Sequence, residues 1–316
     1  MLIVHDLNNF KAKWDSATLT LGVFDGMHLG HQALIRELQR SREENGMARV
    51  LVTYYPHPDI VLGKKKHLQH PVEIYTYEEK LALLQEFELD AAVFLPFTIQ
   101  LANMPASRYL QEILLKKLKA KHIIIGYDQC FGRERKGTYE FLKKRESRLE
   151  YRVDKIDVVQ DNQGRIISSS IIRTLIQTGK LEEANRMLGQ DFFITGTVIR
   201  GRGVGGKLQF PTANLEPPEN KLIPSDGVYA GVAEWGGRRL SAMINIGKNP
   251  TFHQDTLSVE AHLLNFTGNL YGEQIRIHFK QRMRDEIEFA SSKELISQLN
   301  KDKIEASRIL SENILD

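Results

Sequence analysis

Residues 18–32 read Thr-Leu-Thr-Leu-Gly-Val-Phe-Asp-Gly-Met-His-Leu-Gly-His-Gln. The approach to this stretch, Ala17 to Val23, is apolar and β-branched, as a buried strand requires. Phe24 to Gly30 is a short loop punctuated by glycine, after which Ala33, Leu34 and Leu38 set a helical spacing that fades at Asn45-Gly46. Strand, glycine turn and helix start, in that order, present backbone N–H groups and the positive end of a helix to an anion. His28 and His31 fall at the turn, with Gly30 between them so that the backbone can approach a ligand closely. An H-x-G-H tetrad alone is equally compatible with an ordinary surface loop. The flanking Gly22-x-Phe24-Asp25-Gly26 makes the stretch more specific.

Downstream the pattern repeats. Arg49 to Tyr54 reads as a second strand that stops at Pro56-His57-Pro58, Ala91 to Leu95 as a third, and Ile123-Ile124-Ile125 as a fourth ending at Gly126. Thr76 with Glu79 forms a capping box ahead of Leu81, Leu84 and Phe87, and Pro105 to Leu118 predicts another helix. Strands alternating with helices imply a parallel α/β sheet. Ligands of such sheets bind at the carboxyl ends of the strands, where the loops after Val23, Thr53 and Ile125 all fall. Tyr151 to Val159 and Arg165 to Ile167 predict a hairpin around Asp161-Asn162-Gln163-Gly164. Ser168-Ser169-Ser170 then open a helix running to Gln177. Serines there are explained by capping, and with Arg173 one turn in they also offer hydroxyl, amide and guanidinium donors to a pyrophosphate.

Beyond Gly179 and a helical segment at Leu181 to Leu188 the period changes from helical to alternating. Phe192 to Arg200, Val228 to Trp235, Arg239 to Ile246, Leu257 to Leu264 and Gln274 to Phe279 read as strands, with a hairpin turn at Gly236-Gly237. No long helix interrupts them before Lys293 to Leu310, so the expectation is a closed or nearly closed antiparallel β domain with a C-terminal helix laid against it. A chain of 316 residues fits two such domains. A net charge of +3 does not by itself argue for a nucleic-acid or membrane surface. The lone cysteine, Cys130, excludes an internal disulfide, and the absence of a signal pattern or a long apolar run leads us to expect a cytoplasmic protein. The basic runs Lys64 to Lys66 and Arg133 to Lys136 could serve a nucleic-acid-binding regulator, but they sit in no recognised motif of that kind. No nucleic-acid and no membrane partner is expected, and the oligomeric state is open.

The Gly22 to His31 stretch and the segment Ile167-Ser-Ser-Ser-x-Ile-Arg173 together resemble the nucleotidylyltransferase half of the bacterial bifunctional riboflavin kinase/FAD synthetases. The second half resembles their kinase module through an ordered set: Gly196-x-Val198, Gly201 to Gly206, Phe210-Pro-Thr-Ala-Asn214, Gly227-Val-Tyr-Ala230, Asn245-Ile-Gly247 with Pro250-Thr-Phe252, and Val259-Glu-Ala-His262. The resemblance covers nearly the whole chain. It implies a Rossmann-like α/β nucleotidylyltransferase domain over 1–182 and an antiparallel β-barrel riboflavin kinase domain with a C-terminal helix over 183–316. It further implies that riboflavin is phosphorylated to FMN with ATP and that FMN is adenylylated to FAD with release of pyrophosphate.

The resemblance also distributes roles. Glu260 is the base that helps the ribityl hydroxyl, a poor nucleophile at neutral pH, and Val259, Ala261 and Leu263 alternate onto the other strand face. Thr212 and Asn214 are hard oxygen ligands for Mg²⁺ accompanying ATP. Adenylylation needs donors more than a base, because the FMN phosphate, with a second pKa of about 6, is already ionised. His28, His31 and Arg173 are assigned to that step. Gly22, Phe24, Asp25, Gly26, Gly30, Ser169, Ser170, Gly201, Gly203 and Gly205 are assigned to nucleotide, and Asp128, Pro56 and His57 to flavin. Asp25 is expected to order its loop. The chain departs from the family at Gln129, a position that is usually aromatic; Tyr54 and Tyr55 are the alternative stacking surface. Gln129 is also the one sequence feature supporting a rival reading, a monofunctional riboflavin kinase whose first domain is inactive or regulatory.

Overall fold

The computed structural model describes residues 1–63, 72–201, 210–248 and 257–312. The chain forms two compact units, one comprising Met1–Pro71 with Tyr77–Ser168, the other Val72–Thr76 with Ser169–Asp316.

The first unit is a six-stranded sheet in which β1 (Leu2–Val4), β2 (Ala17–Leu21), β3 (Ala48–Tyr55), β4 (Ala91–Pro96), β5 (Ala120–Gly126) and β6 (Arg152–Ile156) take the order β1-β4-β3-β2-β5-β6. Every pairing is parallel. A parallel sheet is covered on both faces, which is why Val50, Val52, Val93, Ile123 and Ile124 form apolar runs instead of alternating. Helix α1 (Leu29–Asn45) returns the chain from β2 to β3 and buries Leu34, Ile35 and Leu38. Since β2 is flanked by β3 on one side and β5 on the other, successive connections leave it in opposite directions. The carboxyl ends of β2 and β5 therefore border the crevice at which α/β sheets take their ligands.

Two expectations change here. The predicted hairpin after Tyr151 is formed only at its tip: β6 pairs parallel with β5, and the return segment is held by an antiparallel bridge between Gln160 and Ile166, with Asp161 donating to the Arg165 carbonyl and Ile167 to the Val159 carbonyl. The Asp161 carboxylate closes the turn by accepting from the N–H groups of Gln163 and Arg165, and the pairing of β6 with β5 leaves the hairpin short. The helix expected from Pro105 to Leu118 is an α-turn at Ala106–Arg108 running into a π-helical segment at Tyr109–Lys117. Helix α2 (Tyr77–Gln85) begins directly after Thr76.

The second unit is a closed barrel of β7 (Phe192–Ile199), β8 (Ala213–Glu216), β9 (Gly227–Trp235), β10 (Arg238–Lys248), β11 (Leu257–Leu263) and β12 (Gln274–Arg284), in the order β10-β11-β8-β7-β12-β9. All its pairings are antiparallel. Strand β8 was not expected, because in its four residues only Leu215 is buried and no period can be read. Helix α3 (Ser169–Gln177) and helix α4 (Leu181–Leu188) pack on each other, and α4 packs on β7 and β12. Asn185 ties α4 down, donating to the Phe279 carbonyl and accepting from the Phe192 N–H. The C-terminal helix α5 (Ser292–Glu312) buries Ala306, Ile309 and Leu310 against Phe210, Ala230 and Met243.

Contact density thus divides the chain at Ser168/Ser169, whereas the sequence suggested 182/183. The reason is that the apolar faces of α3 and α4 are buried in the second unit. A short excursion, Val72–Thr76, also belongs there. Glu73 exchanges backbone hydrogen bonds with Asn220 and Leu222, and the Tyr75 ring lies 4.6 Å from Phe193. Lys221 donates to the Ile74 carbonyl, with its ammonium 4.5 Å above both Tyr75 and Phe192.

Candidate active sites

At the end of β2 the backbone turns sharply: Phe24, Gly26 and Met27 have φ of 52°, 86° and 46°. Met27 and Phe24 are fully buried, so packing compensates the strain of two side-chain-bearing residues in the left-handed region. His28 precedes the first residue of α1 and acts as its cap, its Nδ1 accepting the N–H of His31 at 3.4 Å. The two imidazoles stack with centroids 3.7 Å apart, and Phe24 closes the other side of His31 at 5.0 Å. Gly30 makes room for this arrangement, since a Cβ there would stand 3.1 Å from the His28 ring.

Burial holds both histidines neutral. It lowers His28 to about 4 despite the opposing charge of Asp25, and it lowers His31 well below the usual imidazole value, reinforced by His28 and Lys80. A neutral His28 that accepts at Nδ1 carries its proton on Nε2, which makes Nε2 a donor. The Nδ1 of His31 is buried and has no hydrogen-bond partner, a cost that a bound ligand can relieve. Asp25 is 2% exposed within the loop, consistent with a role in ordering it.

The loop after β5 meets this one. The Gln129 side chain accepts the Gly126 N–H at 2.8 Å, and its Nε2 lies so near Gly22 that a Cβ on that residue would be 2.6 Å away. The Gln129 amide therefore lies between the ends of β2 and β5, tied to the backbone of Gly126. Tyr54 is not available for stacking: it is a core residue whose hydroxyl pairs with that of Tyr109. Tyr55 is 43% exposed, and Tyr127, which sequence reasoning passed over, is 44% exposed beside the exposed Asp128. His57 caps the turn Pro58–Val61 by accepting the Asp59 N–H, next to Pro56. Lys80, on α2, is a second residue the sequence did not flag. It is 3% exposed and donates to the Val23 carbonyl, which also accepts from Thr53. Ser169, Ser170 and Arg173 open α3 in the second unit, where the Arg173 guanidinium donates to the Val72 carbonyl.

In the barrel, Asn214 on β8 faces Glu260 on β11 in register. The Thr212 hydroxyl donates to the Glu260 carboxylate at 3.1 Å, and the Asn214 amide lies 3.5 Å from that hydroxyl. Val259 and Ala261 point into the barrel, which turns Glu260 outward as the alternation predicted. Thr212 borders two cavities. One, of about 330 Å³, is walled by Phe210, Val228, Met243, Ile287, Phe289 and Leu295, with Glu260 on its rim. The other, of about 420 Å³, is walled by Pro211, Phe266, Thr267, Asn269 and Tyr271. His262 braces the segment between them: burial keeps it neutral and its Nδ1 donates to the Pro211 carbonyl at 2.8 Å. Gly201 abuts the Asn214 side chain. Gly203, Gly205, the Lys64–Lys66 run and the Pro250-Thr251-Phe252 motif lie outside the described residues.

Family models for FAD synthetase and riboflavin kinase match residues 10–170 and 188–310 respectively. Bifunctional riboflavin kinase/FMN adenylyltransferases are similar along the full length: 34% identity with that of Bacillus subtilis, covering 98% of this chain and 97% of the relative. The chain belongs to this family. The Listeria monocytogenes member is 36% identical, with 90% of each chain covered, and the Escherichia coli K12 member 32%, with 96% and 95% covered. A solved structure described as a macrolide-efflux protein from Streptococcus pneumoniae shares the fold, with a TM-score of 0.86 at 30% identity over 96% of this chain and 97% of that one. Among the described residues of this family member, no helix is long and apolar enough to cross a membrane.

The hydroxyl of Thr212, the amide oxygen of Asn214 and the Glu260 carboxylate are hard oxygen donors within one cluster. Among the described residues there is no group of three or more His, Cys, Asp or Glu that would cage a metal. Hard oxygen donors of this kind suit a small divalent cation.

Proposed function

We propose that the second unit converts riboflavin and ATP to FMN and ADP, and that the first unit converts FMN and ATP to FAD and pyrophosphate. The observation that carries the kinase assignment is the Thr212–Glu260 pair at the edge of two cavities. The apolar cavity suits a flat flavin ring and the other a nucleotide, so the ribityl hydroxyl and the terminal phosphate would meet at Glu260. Glu260 accepts the hydroxyl proton as the oxygen attacks phosphorus, and the bond from phosphorus to the ADP oxygen breaks. Thr212 and Asn214 would hold Mg²⁺, which supplies neutralising charge to the phosphates when bound.

In the first unit an oxygen of the FMN phosphate attacks the α-phosphorus of ATP, and pyrophosphate leaves with the bonding pair. The His28 Nε2–H, the N-terminal amides of α1 and His31 are donors suited to the charge that builds on the α-phosphate and the leaving group. Gly22, Phe24, Asp25 and Gly26 shape that loop; Ser169, Ser170 and Arg173 keep their nucleotide assignment on motif and residue type. Asp128, Pro56 and His57 are assigned to the flavin phosphate and ring. The tie made by Gln129 gives that residue a structural reason to be present, so it does not favour an inactive first domain. The setting we propose is the cytoplasm, which the single free cysteine supports. Nucleic acid plays no part in this reading, and in the Arg133–Lys136 run Glu134 pairs with Lys136 at 2.6 Å.

Incubation with riboflavin, ATP and Mg²⁺ followed by chromatographic separation of the flavins tests the proposal. FMN appearing first and FAD later is the expected result. FMN without FAD, even when FMN is supplied, would favour a riboflavin kinase with a regulatory first domain.

A further inference from the structure

We infer that Lys80 is a further phosphate-binding residue of the adenylyl-transfer site, its ammonium serving the pyrophosphate portion of ATP from beside His31. The inference rests on the reading that the first unit transfers the adenylyl group.

Lys80 lies on α2 with 3% of its surface exposed. Lysine is rarely buried to this degree without a carboxylate, because desolvating an ammonium is costly unless a counter-charge accompanies it. No carboxylate pairs with Lys80 among the described residues. Its hydrogen bond is to the Val23 carbonyl at 3.2 Å, which leaves two of its three N–H bonds without an acceptor. Thr53 already donates to the same carbonyl at 2.9 Å, so anchoring the loop does not require a cation.

The surroundings point to what the ammonium awaits. Val23 is the residue from which the strained turn Phe24–Met27 departs, and that turn delivers the chain to the start of α1. The charge of Lys80 is felt by His31, whose buried Nδ1 also has no partner. An unpaired cation, an unpartnered imidazole nitrogen and the N-terminus of a seventeen-residue helix are brought to one loop. Their shared complement is a multiply charged anion. A flavin ring or adenine would leave the ammonium uncompensated, whereas the β- and γ-phosphates, which leave as pyrophosphate, would satisfy it as a point charge.

The reverse reaction, in which pyrophosphate attacks FAD to give ATP and FMN, isolates this role because only the adenylyl-transfer chemistry consumes pyrophosphate. In K80M the KM for pyrophosphate should rise about ten- to a hundredfold while the KM for FAD moves less than about threefold, the loss expected for a charge-assisted hydrogen bond. K80R should retain most of the pyrophosphate affinity. An unchanged pyrophosphate KM, or equal rises for FAD and pyrophosphate, would overturn the inference and leave Lys80 as a support for Val23. Circular dichroism and thermal unfolding, to which the first unit contributes, report whether each variant is folded. If K80M fails that check, the unaltered protein decides: the ¹⁵N–¹H ammonium resonance of Lys80, assigned by its loss in K80R, shifts on addition of pyrophosphate, and a resonance that stays in place counts against the inference. Unaltered protein that forms no FAD in the forward direction would instead remove the reading on which this one stands.

Discussion

The backbone N–H of His31 is donated to the ring of His28, and the two imidazoles lie 3.7 Å apart with only 19° between their planes. Neither ring can take a proton without placing a charge against its neighbour in a buried site, so the pair is a pH-sensitive element of the fold. The folded-state value of His28, about 4, lies below the 6.5 of an exposed imidazole. Its neutral form is therefore favoured by folding, and the associated stability is present above pH 6.5 and lost as pH falls toward about 4. His31 acts in the same direction. Urea unfolding followed between pH 7 and 4 should show a loss of about 3 kcal/mol that is absent in H28A/H31A.

The same double variant should lose FAD synthesis almost completely, since each donor to a developing phosphate charge contributes about 3 kcal/mol in a water-poor site. Riboflavin phosphorylation should stay near wild type, because its residues belong to the other unit. With riboflavin as substrate the flavin pool should stop at FMN, provided circular dichroism shows a folded protein. Unchanged FAD synthesis would end the phosphate-binding role of the stretch.

Glu260→Gln keeps the hydrogen bond to Thr212 possible but removes the base. FMN formation should fall by roughly 10²–10⁴-fold while FAD formation from supplied FMN continues. Steady-state kinetics of the two reactions on one preparation makes the comparison; loss of both activities would mark Glu260 as structural.

Asp302 on α5 accepts three hydrogen bonds from Arg284 on β12, at 3.0, 3.1 and 2.7 Å, and a fourth from Gln298 at 2.9 Å. It is 4% exposed and lines the apolar cavity. Asp302→Ala strands the guanidinium in a poorly solvated place and should cost about 3–5 kcal/mol in denaturant unfolding. Since α5 supplies Leu295 and Leu299 to the cavity wall, the KM for riboflavin should rise as well.

Tyr75 carries the last prediction. Its ring is fully buried against Phe192 and Phe193 in the second unit, although the chain on either side of Val72–Thr76 belongs to the first. Tyr75→Ala should destabilise the barrel by about 3–5 kcal/mol, as for other large aromatic truncations. By the same reasoning a fragment beginning at Ser169 should be more stable than one beginning at Glu183, which lacks α3. Thermal unfolding of the two fragments decides it.

The sequence by itself determined the features that depend on neighbours along the chain. The run from Thr18 to Gln32 predicts a strand, a glycine turn and a helix because each has a local period, and the structure contains all three. The outward face of Glu260 followed from alternation in β11, and the closed barrel from a succession of alternating strands. What the tertiary structure alone decided concerns partners remote in sequence. Arg152–Ile156 joined β5 as a parallel strand because the sheet edge offered Ile123 and Ile124 unpaired groups, which no local pattern encodes. Gln129 looked like a departure from an aromatic position until its amide was found against Gly126 and Gly22. Lys80 sits among apolar helix positions and reads as a solvated charge; only the fold shows it buried beneath the Val23 turn. Tyr75 reads as a residue of the α/β domain, and only three-dimensional packing assigns it to the barrel. Burial and pairing are properties of the space around a side chain, and for these residues that space is filled by chain as far as a hundred residues away.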